Sequence, residues 1–451
     1  MTLHPIQHYL QRLNAALAPF TDPDHLSLFL AGGTAVALIR PPLGLAVLLV
    51  GSLVIPFTVG TGTQTELNFP FLFVPLIMTL WLAKTVRSRD FSLFTSRPVR
   101  PLIIFVWVAV VSFLMAAHPW RLITMTAPLS AQFGGLAVFV LSAGAFLLVA
   151  DQIRDLRWLQ FLTWLFLGLG ALYLVGWLVP GIGALGVPTN PRGADGGLFW
   201  TWLVALAFSQ AMFNRRLHLL GRLGTAGLAC AALYVGIVVL RDWLSGWLPP
   251  LIAVGTILWV GAPRLGCLAT LGCVAAAAVN LPNVITKVTT LVASGDNPYS
   301  LSSRIAAWRA LAKIICFNPV LGLGPANYYH STPLFPILGY YVHFSSHNTY
   351  VDLIAQTGFL GLGCFLWFVW EVGRLGWTLR KRVPAGFAQA YVYGALGGLV
   401  GTLASGMLGD WVLPFVYNVT LTGFRASVLG WLFLGGIVAI ERMTHAEPDQ
   451  R

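Results

Sequence analysis

Residues 132–150 read QFGGLAVFVLSAGAFLLVA. Nothing in the stretch is charged. As a helix it reaches across about 28 Å, close to the thickness of a bilayer's hydrocarbon core. Working outward, comparable apolar runs stand at about 25–39, 42–59, 68–85, 101–117, 158–179, 196–213, 218–239, 244–262, 264–281, 348–372, 388–407 and 426–440. The first two are short and meet at Arg40-Pro41-Pro42, which allows two spans or one span and a shallow segment. The pattern predicts an all-α, polytopic integral membrane protein with about 12 transmembrane helices, 12 or 13 depending on that junction.

Composition agrees. Of 451 residues, 57% are hydrophobic and only 9% charged, against about 25% charged in soluble domains. Such a chain cannot cover a water-facing surface with polar groups. The net charge of +12 does not point to nucleic acid, because the basic residues sit in short clusters between apolar runs. Lys84, Arg87, Arg89, Arg97 and Arg100 form one cluster, Arg154 and Arg157 a second, Arg215, Arg216 and Arg222 a third, and Arg374, Arg380, Lys381 and Arg382 a fourth. Alternation of spans puts all four on one side, the positive-inside pattern of a cytoplasmic face. The other side then carries 180–195, 240–247, 282–347 and 408–425. The chain divides into an N-terminal helix bundle at 1–281, a large outer loop at 282–347, and C-terminal helices with a cytoplasmic tail at 348–451. Within the loop, 301–316 has the pattern of an amphipathic helix, capped by Ser302 or Ser303 and ended by Asn318-Pro319, with Arg304 and Trp308 on one face. Met1 to Asp24 lacks the pattern of a cleavable signal. The five cysteines form no CxxC, so neither a disulfide framework nor a zinc site is expected.

The outer segments are poor in acids and hold isolated arginines near membrane boundaries. Arg192 lies in Pro188-Thr-Asn-Pro-Arg-Gly-Ala-Asp195, and Arg241 in Leu240-Arg-Asp-Trp-Leu-Ser-Gly246. Each can snorkel to the interface, pair with its neighbouring aspartate, or clamp an anion through its rigid fork of donors. Gly322-Leu-Gly324-Pro-Ala-Asn327 lacks the strand, helix and acid of a dinucleotide fingerprint and reads as a turn. His343 and His347 are four apart with no obvious third ligand, so no metal is expected. His347-Asn348 opens the eleventh run, with Tyr350 on the same face as the histidine. The histidine can cap or pack, or serve as a general base. Asp352, a carboxylate inside an apolar run, is either functional or a partner for an Arg or Tyr on another helix.

Arg304-xxx-Trp308, Asn318-Pro319-x-x-Gly322-x-Gly324-x-x-Asn327, His347-Asn348-Thr-Tyr350 and Gly358-x-x-Gly361 form an ordered series. It resembles the O-antigen ligase and O-antigen polymerase superfamily of bacterial envelopes, specifically over about 301–361 and by topology elsewhere. The resemblance implies transfer of a glycan from undecaprenyl pyrophosphate to an acceptor hydroxyl at the periplasmic face of the inner membrane. In the ligases the acceptor is a sugar of lipid A–core. It also implies that no metal or other cofactor is needed. It marks His347, Arg241 and Arg192 as catalytic, and Arg304, Asn348, Tyr350, Asn327 and Trp308 as groups that bind pyrophosphate or substrate. The sequence departs from the pattern after Arg192-Gly193, where Ala-Asp-Gly-Gly follows, and at Leu240-Arg241, where a serine is usual. The partners expected are the lipid-linked donor, lipid A–core and membrane lipids, with no nucleic acid. An O-antigen polymerase or a protein O-oligosaccharyltransferase would use the same donor. A transporter would instead show repeat halves and ionisable residues at the midplane, and no repeat is visible.

Overall fold

The structure, a computed structural model, describes residues 24–55, 58–60, 66–116, 125–179, 196–279, 285–286, 300–337 and 339–446. Helices α1 (Asp24–Ile39) and α2 (Pro41–Val54) are separate. Pro41 and Pro42 open α2, positions where a missing N–H costs no helical bond, so the first two runs are two helices. The second run ends sooner than expected, at Val54. A two-stranded antiparallel ribbon follows, β1 (Thr58–Gly60) and β2 (Glu66–Asn68).

Next come α3 (Phe69–Ser88), α4 (Val99–Ala116), α5 (Leu129–Gln152), α6 (Leu156–Leu178), α7 (Gly197–Phe213) and α8 (Leu219–Tyr234), which runs on into a π-helical turn at Val235–Val239. Then follow α9 (Leu244–Gly261), α10 (Pro263–Val279), α11 (Ser300–Ile315), α12 (Thr349–Leu379), α13 (Phe387–Leu408) and α14 (Phe424–Ala446). Among the described residues nine helices are long and apolar enough to cross a membrane, and four shorter apolar ones accompany them. The protein is an all-α polytopic membrane protein. The amphipathic helix in the long connection is α11. It starts at Ser300, so Ser302 and Ser303 lie inside it rather than at its cap, a boundary shift of the size helix ends commonly show.

The most deeply buried span is α14, whose apolar stretch is almost wholly enclosed. It packs against α5 and α7. Helix α13 packs on α7 and α9. Gly397 of α13 has the Ala253 carbonyl of α9 where a side chain would stand, the small-residue contact that lets helices approach closely when lipid supplies no hydrophobic drive.

The two ends of the bundle differ. At one, Arg442 bonds Asp151 at 2.6 Å, Arg154 bonds Asp90 at 2.9 Å, and Ser96 donates to Glu441 at 2.6 Å. The basic clusters lie at this end. At the other, connections are knitted together: Asn68 Nδ2 donates to Leu421 O at 2.6 Å, Ala127 N to Asn327 Oδ1 at 2.8 Å, and Thr349 Oγ1 to Gly409 O at 2.9 Å. The long connection between α10 and α12 belongs to this second, loop end.

Candidate active site at the loop end

Helix α12 is broken at Gly358, whose φ of 70° and ψ of −177° lie outside helical space. In a continuous helix the 359 and 360 N–H groups would bond the 355 and 356 carbonyls. Instead the segment just after α11 enters the break. Leu323 N donates to Ala355 O at 2.9 Å and Gly324 N to Gln356 O at 3.0 Å, while Phe359 N donates to Pro319 O at 2.8 Å and Leu360 N to Val320 O at 3.2 Å. Both lost helical bonds are thus replaced twice over. Irregular backbone inside an apolar bundle requires such pairing, since lipid offers none. Ser112 Oγ of α4 lies within bonding distance of both Leu321 O and Gln356 O. The Asn318–Asn327 motif is therefore more than a turn: it is a re-entrant strap that splices a helix. Gly322 (φ 69°) passes the 356–357 peptide with no room for a side chain. Asn327 anchors the far side, accepting from Ala127 N and donating to Leu323 O at 3.0 Å.

Above this strap, Asn348 caps α12, its Oδ1 accepting from Tyr350 N at 2.9 Å and Val351 N at 3.3 Å. The cap turns the chain so sharply that His347 takes φ 49°, a conformation uncommon outside glycine, and its side chain is exposed. Nδ1 of His347 faces Asn418 Nδ2 at 3.1 Å. The same Nδ2 also bonds Asp410 Oδ1, and Phe415 N donates to Asp410 Oδ2 at 2.9 Å. Burial pushes the Asp410 carboxyl above the ordinary carboxylate range. Asp352, in the first turn of α12, accepts from Tyr328 OH and from Ser346 Oγ at 2.7 Å, so its partner is a tyrosine. Trp308 Nε1 donates to Ser346 O at 2.9 Å, fixing α11 over the same turn.

Beside this network Tyr329 stacks between His343 and Tyr417, and His330 Nε2 meets Tyr417 OH at 3.0 Å. Burial, then the nearby His343, pushes the His330 imidazole below its usual value. His343 and His347 therefore face different partners. Among the described residues no three His, Cys, Asp or Glu side chains gather as a metal cluster.

Of the residues singled out by sequence, the structure brings together His347, Asn348, Tyr350 and Trp308, with Asn327 tied to the strap below. Tyr350 OH donates to Leu403 O at 2.8 Å, binding α12 to α13. Arg241 stands apart, exposed, 3.7 Å from Asp242 Oδ1, on the short connection whose Trp243 packs against Trp411. Arg192 lies outside the described residues, as does the side chain of Arg304, whose backbone is in the first turns of α11.

Residues 203–366 match the family model for O-antigen ligase. Over that stretch, under half of its length, the chain is similar to the O-antigen ligase family. No curated protein is similar enough to give a match. The family match takes in the strap, the break at Gly358 and His347. It supports a glycosyltransferase-like enzyme of the ligase or polymerase kind, working on lipid-linked glycans in a membrane.

Sequence reasoning passed over two features. Asn418 meets His347, and Asp410 meets Asn418, only in three dimensions. Arg425, near the start of α14, is 1% exposed and borders a cavity of about 480 Å³. A basic residue at the head of an apolar run is the one signal the sequence held.

Proposed function

We propose that this protein is an O-antigen ligase, transferring O-antigen polysaccharide from undecaprenyl pyrophosphate to a sugar hydroxyl of lipid A–core at the periplasmic face of the inner membrane. The observation that carries the reading is His347: an exposed imidazole, fixed by a helix cap and by Asn418, over the strap that defines the family motif. The loop end would then be periplasmic and the arginine-rich end cytoplasmic.

The acceptor oxygen attacks the anomeric carbon as the bond to the pyrophosphate oxygen breaks. The hydroxyl proton passes to the imidazole, and undecaprenyl pyrophosphate leaves with growing negative charge. Arg241, with Arg192, supplies the cations for that charge, and loss of one such donor typically costs about 10²–10³ in rate. A positioned base contributes typically about 10²–10⁴. The amide of Asn418 decides which nitrogen of His347 acts. With Asp410 ionised, the amide N–H groups face both Asp410 and Nδ1, so Nε2 carries the proton and donates to a phosphate oxygen. With a proton on Asp410, the amide turns, its oxygen accepts from Nδ1–H, and the Nε2 lone pair is available as base. No step uses a metal.

The test is the purified protein in detergent with undecaprenyl-pyrophosphate glycan, lipid A–core and EDTA. Wild type runs beside His347→Ala and Arg241→Ala, with product read on a gel. The ligase reading expects glycosylated lipid A–core from wild type and little from either variant. Longer chains formed from donor alone would replace it with a polymerase, and no product of either kind would overturn the enzyme reading in favour of a transporter.

A further inference from the structure

We propose that the cavity beneath the β1–β2 ribbon is the seat of the lipid-borne diphosphate, with Arg425 as its buried cation. This rests on the transfer reaction proposed above. The cavity opens at the loop end, and its lining includes Thr58, Gly196, Trp411, Thr422 and Arg425. Two helices begin at its wall: α7, whose N-cap is Gly196, and α14, which starts one residue after Gly423. Their N-terminal ends carry the positive poles of the helix dipoles, so both favour an anion between them. An arginine this deep in a membrane protein, bordering an open cavity, is a functional candidate in its own right, and its fork matches phosphate oxygens. The buried indole N–H of Trp411 has no hydrogen-bond partner among the described residues and is a further donor in the same wall. Among the described residues of the lining the one carboxylate, Glu66, is exposed and held by Thr58 Oγ1 at 2.7 Å, where it suits sugar hydroxyls and not phosphate. The site also adjoins the proposed base, because Asn418, which holds His347, directly precedes Val419 of the cavity wall.

The experiment measures binding apart from transfer. The full chain in nanodiscs is titrated with glycan-free undecaprenyl pyrophosphate, and inorganic pyrophosphate and phosphatidylglycerol serve as competitors. Wild type is compared with Arg425→Lys, Arg425→Gln and the rim variant Thr58→Trp, which obstructs the cavity and leaves the arginine in place. Removing a charge-assisted phosphate contact is expected to weaken binding roughly ten- to hundred-fold in Arg425→Gln, less in Arg425→Lys, and strongly in Thr58→Trp. Inorganic pyrophosphate should compete and phosphatidylglycerol should not. Wild-type affinity in both Arg425→Gln and Thr58→Trp would overturn the proposal. Equal competition by phosphatidylglycerol would also overturn it, making the cavity a phospholipid site. If diphosphate binding depends on Arg425 while wild type transfers no glycan, the transfer reading fails and the cavity assignment stands.

Discussion

Gly358 of α12 lies against the carbonyl of Val320, where any other residue would place its β-carbon. The contact exists because the strap donates and accepts at the two peptide levels that the helix break leaves open. Gly358→Ala strains both terms. Its φ and ψ belong to a region essentially reserved for glycine, costing about 1–3 kcal/mol, and the added carbon overpacks the splice by a similar amount. The expected outcome is a protein that loses about 3 kcal/mol or more and runs largely aggregated in detergent. A Gly358→Ala variant that stays monodisperse with the wild-type melting temperature would mean the strap does not hold the break.

Asn348 joins stability to chemistry. Asn348→Ala removes the cap of α12, costing about 1 kcal/mol. It also releases the turn that holds His347 at φ 49°. We expect transfer to fall by at least tenfold while the melting temperature falls by only a few degrees. A rate loss no larger than the loss of folded protein would assign Asn348 to stability alone.

Much of this architecture was legible in the chain. Each uncharged run of near-bilayer length became a helix because no other structure satisfies the backbone in lipid. His347-Asn348 announced a helix start because asparagine before an apolar run is a cap signal. The strap was not legible. Gly322 and Gly358 stand 36 residues apart, and nothing local tells a loop turn from a segment that completes another helix. Asp410 and Asn418 lie in the last loop, and only the packing of α13 and α14 around α12 brings them to His347. The burial of Arg425 was not legible either, because linear sequence carries no depth.

Tyr350 separates packing from catalysis. Its hydroxyl is spent on Leu403 O, so Tyr350→Phe should cost about 1 kcal/mol of stability and leave transfer per folded molecule unchanged. A selective rise in KM for the donor in Tyr350→Phe would place the hydroxyl on substrate instead.

Asp410 gives the pH dependence a sign. Burial raises its folded-state value, so the folded protein holds this proton more tightly than the unfolded chain. The stabilisation is complete below the ordinary carboxylate range, about pH 4, and is lost as pH rises through the folded-state value. Asp410→Asn has no such titration. The melting temperature of wild type, minus that of the variant, should therefore fall as pH rises from about 4 toward neutrality. A difference that stays flat would show that Asp410 keeps an ordinary carboxylate's value.

The stereochemistry of the product tests the single-displacement step. In the proposed site the proton acceptor is the imidazole, and it takes the proton of the acceptor hydroxyl. The cations at Arg241 and Arg425 serve the leaving diphosphate. With the two functions on separate groups, the hydroxyl attacks opposite the departing phosphate and the anomeric centre inverts. Retention would need a second displacement and a covalent glycosyl–enzyme intermediate. The buried carboxylates of the network around the imidazole, Asp352 and Asp410, are 2% and 1% exposed, and Asp410 accepts on both oxygens, from Phe415 and Asn418. Such groups are poorly placed to attack. NMR of the glycan linkage before and after transfer should show opposite anomeric configurations. The same configuration in donor and product would rule out single displacement and turn the search toward one of these two aspartates as nucleophile.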